Sequence, residues 1–298
     1  MKIGYFPGCS LHATAREFDE SLKAVAGKLE VELDEVHDWA CCGASSAHAT
    51  NHLLSVSLPA RTLALAAEQG LEQVLAPCAA CYSRLAVARH SLSEDGALRQ
   101  RVAKVLERPL DTLVPVVSIL SWLKALAPEI ERKRTVPLGE LKVACYYGCL
   151  LVRPPEIAQG DDPEMPTSME AIVQAAGAKS VSWRMGLECC GGGFSVARPP
   201  SVVRLGRAIL GDAKAAGAQA LVVGCPMCHS NLDFRQRAMA QRGEPDIDIP
   251  IIFLTELVGL ALGISVRELG LHRHFVNPRA VLDLALTPKS LPEKREQV

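Results

Sequence analysis

The sequence lacks three features, and each absence narrows the range of possible functions. No run of about 18 apolar residues occurs, so no segment is predicted to cross a bilayer. The formal net charge is only −1, which gives no electrostatic basis for binding nucleic acid. Residues 1–10 have neither the apolar run nor the small-residue cleavage site of a secretory signal. We therefore expect a cytoplasmic protein.

Cysteine, in contrast, is abundant. Eleven cysteines occur among 298 residues, and 49% of the residues are apolar, which is enough for ordinary buried cores. The length suggests about one to three domains. Disulfide frameworks belong mainly to small secreted proteins, and a chain of this length does not need them. In a reducing compartment, many cysteines more often indicate metal binding or redox chemistry.

The cysteines form two sets with the same order and similar spacing. Each set has a Gly-Cys pair, then a Cys-Cys-Gly segment, then a C-x-x-C pair. The first two elements are separated by 32 residues in one set (9 to 41) and by 40 in the other (149 to 189). Such a repeat indicates an internal duplication. The first set comprises Cys9, Cys41, Cys42, Cys78 and Cys81, and the second comprises Cys149, Cys189, Cys190, Cys225 and Cys228.

Short runs of strand type end at the C-x-x-C pairs, and Ala- and Leu-rich runs of helical type precede them. The strand-type runs are residues 72–78 and 220–225, and the helical runs are residues 53–69 and 201–216. Residues 251–264 are predicted to form a buried strand that leads into a core helix. This alternation predicts an α/β fold of two similar domains, each with a mainly parallel sheet covered by helices. The cysteines are then expected just past the carboxyl ends of strands, where such sheets bind ligands.

The domain boundary is predicted from a change in composition. A helix-like run, residues 116–127, is followed by a charged stretch that ends at Pro137 and Gly139. Charged stretches of this kind are usually solvated surface segments. We therefore predict a first repeat domain at residues 1–127, a linker at 128–140, a second repeat domain at 141–286, and a polar C-terminal tail at 287–298.

Five cysteines per copy are more than one tetrahedral zinc ion binds, and each copy has only one C-x-x-C pair. Iron–sulfur clusters are held by cysteine thiolates, normally four for each [4Fe–4S] cluster. A fifth cysteine indicates an unusual cluster or a cysteine that bridges two irons. Gly43 and Gly191 follow the doublets and allow N–H groups to approach cluster sulfur, although a plain turn is an equal alternative. A structural zinc protein is also an alternative, and an optical spectrum would decide it because zinc proteins are colourless.

The two copies of C…CCG…C-x-x-C resemble the CCG domain, and residues 2–274 are similar to the B subunit of heterodisulfide reductases. The segments YYGCLLVRPP (146–155), DPEMPTSM (162–169) and ECCGGG (188–193) carry much of this resemblance. It implies two noncubane [4Fe–4S] clusters, each held by the five cysteines of one set. Cys145 lies outside the motif, at the position of Tyr5 in the first copy, and is expected to be a buried strand residue.

The resemblance implies that the chain is the catalytic component of a disulfide oxidoreductase complex, with a disulfide or dithiol substrate between the two clusters. Two clusters suit this reaction because reducing a disulfide takes two electrons. The chain has no C-x-x-C-x-x-C-x-x-x-C-P run and no flavin motif. The expected partners are therefore a ferredoxin-like iron–sulfur protein and a flavoprotein, similar to the C and A subunits of heterodisulfide reductases. The alternative is an electron-relay subunit of a quinone- or dehydrogenase-linked complex without disulfide chemistry.

Four further residues are candidates for the wall of a cleft between the two copies. His12 and His229 lie near motif cysteines, and a histidine can protonate a product thiol near neutral pH. Arg153 and Arg198 follow cysteine motifs and suit an anionic group on a substrate. The alternatives are a supporting or surface role for the histidines and surface salt bridges for the arginines.

Overall fold

The computed structural model describes residues 2–44, 47–158, 160–240 and 247–286. The first half of the chain alternates short strands with longer helices. Its elements are β1 (Lys2–Tyr5), α1 (Gly8–His12), α2 (Arg16–Lys28), β2 (Glu32–Glu35), α3 (Ala47–Thr50), α4 (His52–Glu68), β3 (Val74–Ala76), α5 (Ala79–Glu94), α6 (Gly96–Leu106), β4 (Val116–Ser118), α7 (Ile119–Ala125) and α8 (Ala127–Lys133).

The second half follows a similar order. Its elements are β5 (Lys142–Tyr146), α9 (Ser168–Ala175), β6 (Lys179–Ser180), a 3₁₀ turn (Gly192–Phe194), α10 (Pro199–Ala215), β7 (Ala220–Val223), α11 (Pro226–Asp233), α12 (Gln236–Met239), β8 (Ile251–Phe253), α13 (Leu254–Ala261), a second 3₁₀ turn (Leu271–Arg273) and α14 (Arg279–Leu286). Among the residues that the structure describes, no helix combines the length and apolar character needed to cross a membrane.

Each half forms its own four-stranded parallel sheet. The strand order is β2-β1-β3-β4 in the first half and β6-β5-β7-β8 in the second. Every neighbouring pair is parallel, so strands of equal rank take equal places in the two sheets. The predicted α/β fold of two similar domains, each with a parallel sheet covered by helices, is confirmed.

Strands β3 and β7 are continuous apolar runs because helices cover both faces of each sheet. All residues of β3 and β7 are buried. A strand with one face in water would instead alternate apolar and polar residues. The prediction for residues 251–264 is also confirmed, since they form β8 and then the buried helix α13. Helix α13 begins directly after the strand because the Glu256 carboxylate accepts a 2.7 Å hydrogen bond from the Phe253 N–H.

The two domains share one hydrophobic core, and they contact each other through equivalent helices. Helix α2 of the first domain packs on α13 of the second, and α9 of the second packs on α7 of the first. Across the first of these contacts, the rings of Phe18 and Phe253 stack with centroids 4.3 Å apart. The hydroxyls of Ser21 and Thr255 are 2.7 Å apart and share a buried hydrogen bond. This packing fixes the position of one sheet relative to the other.

One local prediction was wrong. Residues 116–127 were predicted to be helical throughout, but they begin with the strand β4, which pairs with β3. The side chain of Ser118 then accepts a hydrogen bond from the Ser121 N–H and begins α7. Helix α8 lies largely within the predicted linker, and its Ile130 is buried. The domain boundaries stay predictions, and the predicted tail at 287–298 lies outside the described residues.

Candidate metal centre

The motif cysteines lie where each sheet leaves a crevice. In both sheets the chain moves to one side of the first strand and then returns to its other side, between β1 and β3 and between β5 and β7. Open α/β sheets bind ligands past the carboxyl ends of the strands at such points. Cys78 and Cys225 each lie two residues after β3 or β7 and precede the first residue of α5 or α11. The expected placement past the strand ends is confirmed for these cysteines.

The first cysteine site comprises Cys9, Cys41, Cys42, Cys78 and Cys81. The sulfur atoms of Cys9 and Cys41 are 4.0 Å apart, and those of Cys42 and Cys81 are 3.4 Å apart. Cys9 and Cys41 are exposed, whereas the other three are buried. The site therefore extends from the domain interior to the surface.

The second cysteine site comprises Cys149, Cys189, Cys190, Cys225 and Cys228, and it repeats this plan. The sulfur atoms of Cys149 and Cys189 are 4.0 Å apart, the same separation as in the equivalent pair of the first site. Cys189 also accepts a 3.3 Å hydrogen bond from the Gly191 N–H. Again the doublet has one exposed member, Cys189, and one buried member, Cys190.

Two glycines leave room for the sulfur atoms. Gly8 and Gly148 precede the first cysteine of each site and have φ angles of 65° and 62°, in the left-handed region. A Cβ at Gly8 would lie 2.8 Å from the Cys81 sulfur, and a Cβ at Gly148 would lie 3.3 Å from the Cys228 sulfur. Only glycine combines this backbone conformation with so close an approach of sulfur.

Hydrogen bonds between thiols divide the cysteines into donors and acceptors. The hydrogen bond between Cys42 and Cys81 lowers the pKa of Cys42 to about 7. Hydrogen bonds from Cys149 and Cys190 lower the pKa of Cys189 to about 2, while donation to Cys189 raises the pKa of Cys190 to about 12. Each site thus contains a thiol for which the thiolate is favoured, and the thiolate is the form of cysteine that binds metals.

The two sites meet across the domain contact. Cys78 of the first site and Cys225 of the second lie close enough to interact, and this interaction raises the pKa of Cys78 and contributes to lowering that of Cys225. Both cysteines are buried. The carboxyl ends of the two sheets therefore face each other, and the ten motif cysteines form one continuous group.

The donor set of each site fits an iron–sulfur cluster. It consists of five sulfur atoms, whereas a tetrahedral zinc ion takes four ligands. Glycine N–H groups beside the doublets suit hydrogen bonding to sulfur, which tunes such clusters. Within residues 2–44, 47–158, 160–240 and 247–286, no three His, Cys, Asp or Glu side chains are placed to hold a single metal ion.

Comparison with known proteins identifies the family. The family model of the cysteine-rich domain, CCG, matches residues 3–86 and 143–233, which together are more than half of the chain. This chain belongs to the cysteine-rich domain family. Each matched segment contains one complete set of five motif cysteines, so the resemblance stated from the sequence is confirmed.

Two relatives of this cysteine-rich domain protein are similar over nearly its full length. The 8-methylmenaquinol:fumarate reductase membrane anchor subunit of Wolinella succinogenes is 33% identical and covers 93% of this chain and 97% of its own. The B subunit of a ferredoxin/F(420)H(2)-dependent CoB-CoM heterodisulfide reductase of Methanosarcina acetivorans is 29% identical and covers 92% of this chain and 94% of its own. The names of the two relatives describe different reactions.

One solved structure has a similar fold. The crystal structure of a hypothetical protein from Helicobacter pylori matches with a TM-score of 0.74 at 13% identity and covers 93% of this chain. The match covers 52% of that protein, so this chain spans about half its length. At this identity the similarity shows a shared fold alone.

Cys145, the eleventh cysteine, lies outside the cysteine-rich domain motif, and its surroundings differ from those of the ten motif cysteines. Cys145 lies within β5, opposite Val222 in the sheet register, and is buried. Burial and a hydrogen bond to the Glu170 carboxylate raise its pKa. This is the position expected for a buried strand residue, and the absence of Cys145 from the ligand set stays a prediction.

The two candidate histidines occupy different environments. His12 is partly exposed, lies 3.5 Å from the Glu35 carboxylate and contacts the ring of Trp39. His229 is buried against Phe253, with its Nε2 3.1 Å from the carbonyl oxygen of Ile251. Burial lowers the pKa of His229. The His229 ring thus contacts the core, and the catalytic role of both histidines stays a prediction.

The two candidate arginines are also placed differently. Arg153 lines a cavity of about 480 Å³ together with Cys149, and its guanidinium lies 3.1 Å from the Glu164 carboxylate. Arg198 is exposed immediately before α10. The structure brings Arg153 to the edge of the second cysteine site, and a substrate contact for either arginine stays a prediction.

Two residues near the second site were missed from the sequence. The Asn231 amide donates to the Cys190 sulfur at 3.6 Å, and the Tyr146 hydroxyl donates to the Glu188 carbonyl at 2.6 Å. Asn231 lies one helical turn after Cys228, so its distance from the C-x-x-C pair was a usable signal. Tyr146 gave no comparable signal, because its partner lies 42 residues away in the chain.

Proposed function

We propose that this chain is the iron–sulfur subunit of a heterodisulfide reductase-like complex and that it cleaves or forms a disulfide at two noncubane [4Fe–4S] clusters. The observation that carries the proposal is the proximity of Cys78 and Cys225, which makes the two cysteine sites one continuous group. When bound, the two clusters supply one-electron redox chemistry, and two electrons are needed for each disulfide.

The chain's own residues supply the frame for this chemistry. The five cysteines of each site would hold one cluster, with Gly8 and Gly148 leaving space beside Cys81 and Cys228. The cavity beside Cys149 has a volume of about 480 Å³, within the usual range for small-molecule sites. Its wall combines the apolar surface of Pro154 with the Arg153–Glu164 ion pair, so an anionic group on an apolar thiol would compete with Glu164 for the guanidinium.

The reaction balances only with an external electron carrier. In the reductive direction the S–S bond breaks and two S–H bonds form, using two electrons from a partner protein and two protons from water. We infer that the partner is a ferredoxin-like iron–sulfur protein, itself supplied by a flavoprotein in the cytoplasm. The inference is supported by the absence of a flavin or cubane-cluster motif from the sequence and by the M. acetivorans relative, whose name includes ferredoxin.

A second candidate function is favoured by one specific observation. The Wolinella succinogenes relative, at 33% identity, is named as part of a menaquinol:fumarate reductase. In that case the two sites would relay electrons between a quinol and a dehydrogenase without disulfide chemistry. The proline-lined cavity beside Cys149 would then take no disulfide.

The experiment begins with anaerobically purified protein. About eight iron atoms and eight sulfide ions per chain are expected, four of each for every cluster, and a colourless protein that contains zinc would contradict the proposal. The dye-reduced protein is then mixed with lipoamide and with linear disulfides that carry carboxylates, and thiols are counted. Two thiols should form per disulfide consumed. Oxidation by a menaquinone analogue, with no thiol released from any disulfide, would favour the relay.

A further inference from the structure

The short segments that follow the two C-x-x-C pairs share a Ser and a Leu at equivalent positions. In the first domain the pair is followed by Tyr-Ser-Arg84-Leu, and in the second by His-Ser-Asn231-Leu. Both positions lie three residues, about one helical turn, after the last cysteine, so each occupies the same side of its helix as that cysteine. The duplication has therefore placed a cation beside the first site and a neutral amide beside the second.

In the second site the neutral amide is fully bonded. Asn231 is buried, and its Nδ2 donates to the Cys190 sulfur at 3.6 Å and to the Cys190 carbonyl at 3.3 Å. Its Oδ1 accepts a 2.9 Å hydrogen bond from the Ser195 hydroxyl. The side chain thus directs a dipole, but no net charge, at the buried member of the cysteine doublet.

In the first site the equivalent position holds a full positive charge. Arg84 is half-buried on α5, one turn after Cys81, whose sulfur is 3.4 Å from that of Cys42. Arg84 follows Cys81 by the same three residues that separate Asn231 from Cys228, so it lies on the side of α5 that carries the Cys42–Cys81 sulfur pair. Cys42 is the counterpart of Cys190, so Arg84 and Asn231 occupy equivalent positions beside equivalent sulfur atoms.

The charge of Arg84 is not neutralised locally. In the part of the chain that the structure describes, no carboxylate forms a salt bridge with its guanidinium, whereas Arg61 and Arg108 of the same domain are paired with Asp38 and Glu68. Interactions of a partly buried charge are screened less than those of an exposed one. An uncompensated cation at this depth favours whichever redox state of its neighbour is more negative.

We propose that Arg84 makes the first cysteine site the higher-potential site of the pair, so that an electron entering the protein resides there rather than at the second site. The inference rests on the proposed function in one respect, that each site binds a cluster. Arg84 is a tuning residue and contacts no substrate in this proposal. Net charge near a cluster and hydrogen bonds to its sulfur are the two means by which proteins set such potentials.

The test compares three variants by electron paramagnetic resonance during anaerobic redox titration of the full chain. Arg84→Gln keeps hydrogen-bond donors and removes the charge, whereas Arg84→Lys keeps the charge. Arg101→Gln removes an exposed charge from the neighbouring helix α6 as a control for net charge. A Cys190→Ala background, which retains only the first-site cluster, assigns the signals to sites.

Arg84→Gln should make the first site about tenfold harder to reduce, a fall of 59 mV for one electron. The second-site potential should not change, and Arg84→Lys and Arg101→Gln should match the parent protein. If Arg84→Gln leaves both potentials unchanged with full iron content, this inference fails while the proposed function stands. If Arg84→Gln and Arg84→Lys both lose the first-site iron, Arg84 is structural and the inference also fails. A parent protein without iron would instead defeat the proposed function.

Discussion

Polar and charged side chains precede the cysteine doublet of the first site, whereas exposed apolar side chains follow the doublet of the second site. Near the first, the Glu35 carboxylate accepts a 2.8 Å hydrogen bond from Trp39 and lies 3.5 Å from His12. Near the second, Phe194 is 47% exposed and Val196 is 93% exposed. The sulfur atoms keep equivalent places because both domains have the same strand order, while the loops around them have diverged.

The cysteines of the two sites are arranged alike, but this difference indicates that the second site contacts another molecule whereas the first contacts water. Exposed apolar side chains beside a buried group are typical of places where another molecule binds. A polar rim remains hydrated and does not favour such contact. If the two sites are independent, equivalent substitutions in them should differ in effect only through their different surroundings.

The largest expected effect comes from removing one sulfur from either site. Cys42→Ala and Cys190→Ala should each reduce the iron content from about eight to about four atoms per chain. Each of these cysteines is buried among the residues of its own site, so the other site should be unaffected. Iron and sulfide analysis provides the measurement. Loss of all iron in both single variants would show that the two sites assemble only together.

The second largest effect is expected from substituting the two glycines beside the sulfur atoms. Alanine at Gly8 or Gly148 would pay about 1–2 kcal/mol for its left-handed conformation. Gly8→Ala would also place a Cβ 2.8 Å from the Cys81 sulfur, against 3.3 Å from Cys228 for Gly148→Ala. We therefore expect Gly8→Ala to lose first-site iron and Gly148→Ala to retain most second-site iron. Equal losses in the two variants would contradict this ranking.

The third effect is a pH dependence that originates in the second domain. Burial lowers the pKa of His274, but the charge and hydrogen bond of Glu256, 2.8 Å away, outweigh it and raise that pKa to about 9. His229, Asp233 and Glu17 also face this histidine. Because the folded pKa lies above the unfolded value of about 6.5, the stabilisation is complete below that pH and disappears as pH rises through about 9.

The shift of His274 corresponds to about 3 kcal/mol, at about 1.4 kcal/mol for each pKa unit, and the pKa of Glu256, which burial raises, offsets part of it. Anaerobic urea unfolding between pH 6 and pH 9 should therefore show stability falling with pH, and His274→Gln should flatten that slope. His272→Gln, an exposed neighbour, is the control. An unchanged slope in His274→Gln would assign the pH dependence to other groups.

The smallest effect is expected outside both sites. Cys145→Ala should keep the full iron and sulfide content and cost about 1–3 kcal/mol of stability, as for a small buried side chain. Its thiol bonds to Glu170 rather than to another cysteine. A variant that loses four iron atoms would place Cys145 among the ligands.

Much of this architecture was predictable because the chain contains two copies of one domain, and each copy can be compared with the other. Two copies of one cysteine pattern indicated duplicated domains, and apolar runs ending at cysteines indicated strands that deliver ligands to one edge of a sheet. The strand β4 was missed because Val116 and Val117 run directly into a helix, with only Ser118 to mark the change. A capping serine in an otherwise apolar run is a weak signal on its own.

The contacts between the copies were harder to foresee. The sequence suggested an interface site, but it did not identify Cys78 and Cys225 as the residues that meet, because their contact depends on how α2 and α7 pack against the other domain. The His274–Glu256 pair was missed for a similar reason, since its residues lie 18 positions apart in different elements. Arg84 and Asn231 could have been found by aligning the two C-x-x-C segments residue by residue.

The helix contacts between the domains have a consequence for the origin of the chain. Helix α2 meets α13, and the helix equivalent to α2 meets the helix equivalent to α13, so each half offers the other the same surface. That reciprocity is the mark of an isologous interface, the kind that relates identical subunits about a two-fold axis. The present chain therefore has the geometry of a homodimer whose two halves were joined by gene fusion. Once joined, the halves could change independently, and a residue such as Arg84 could differ from its counterpart without altering both halves at once.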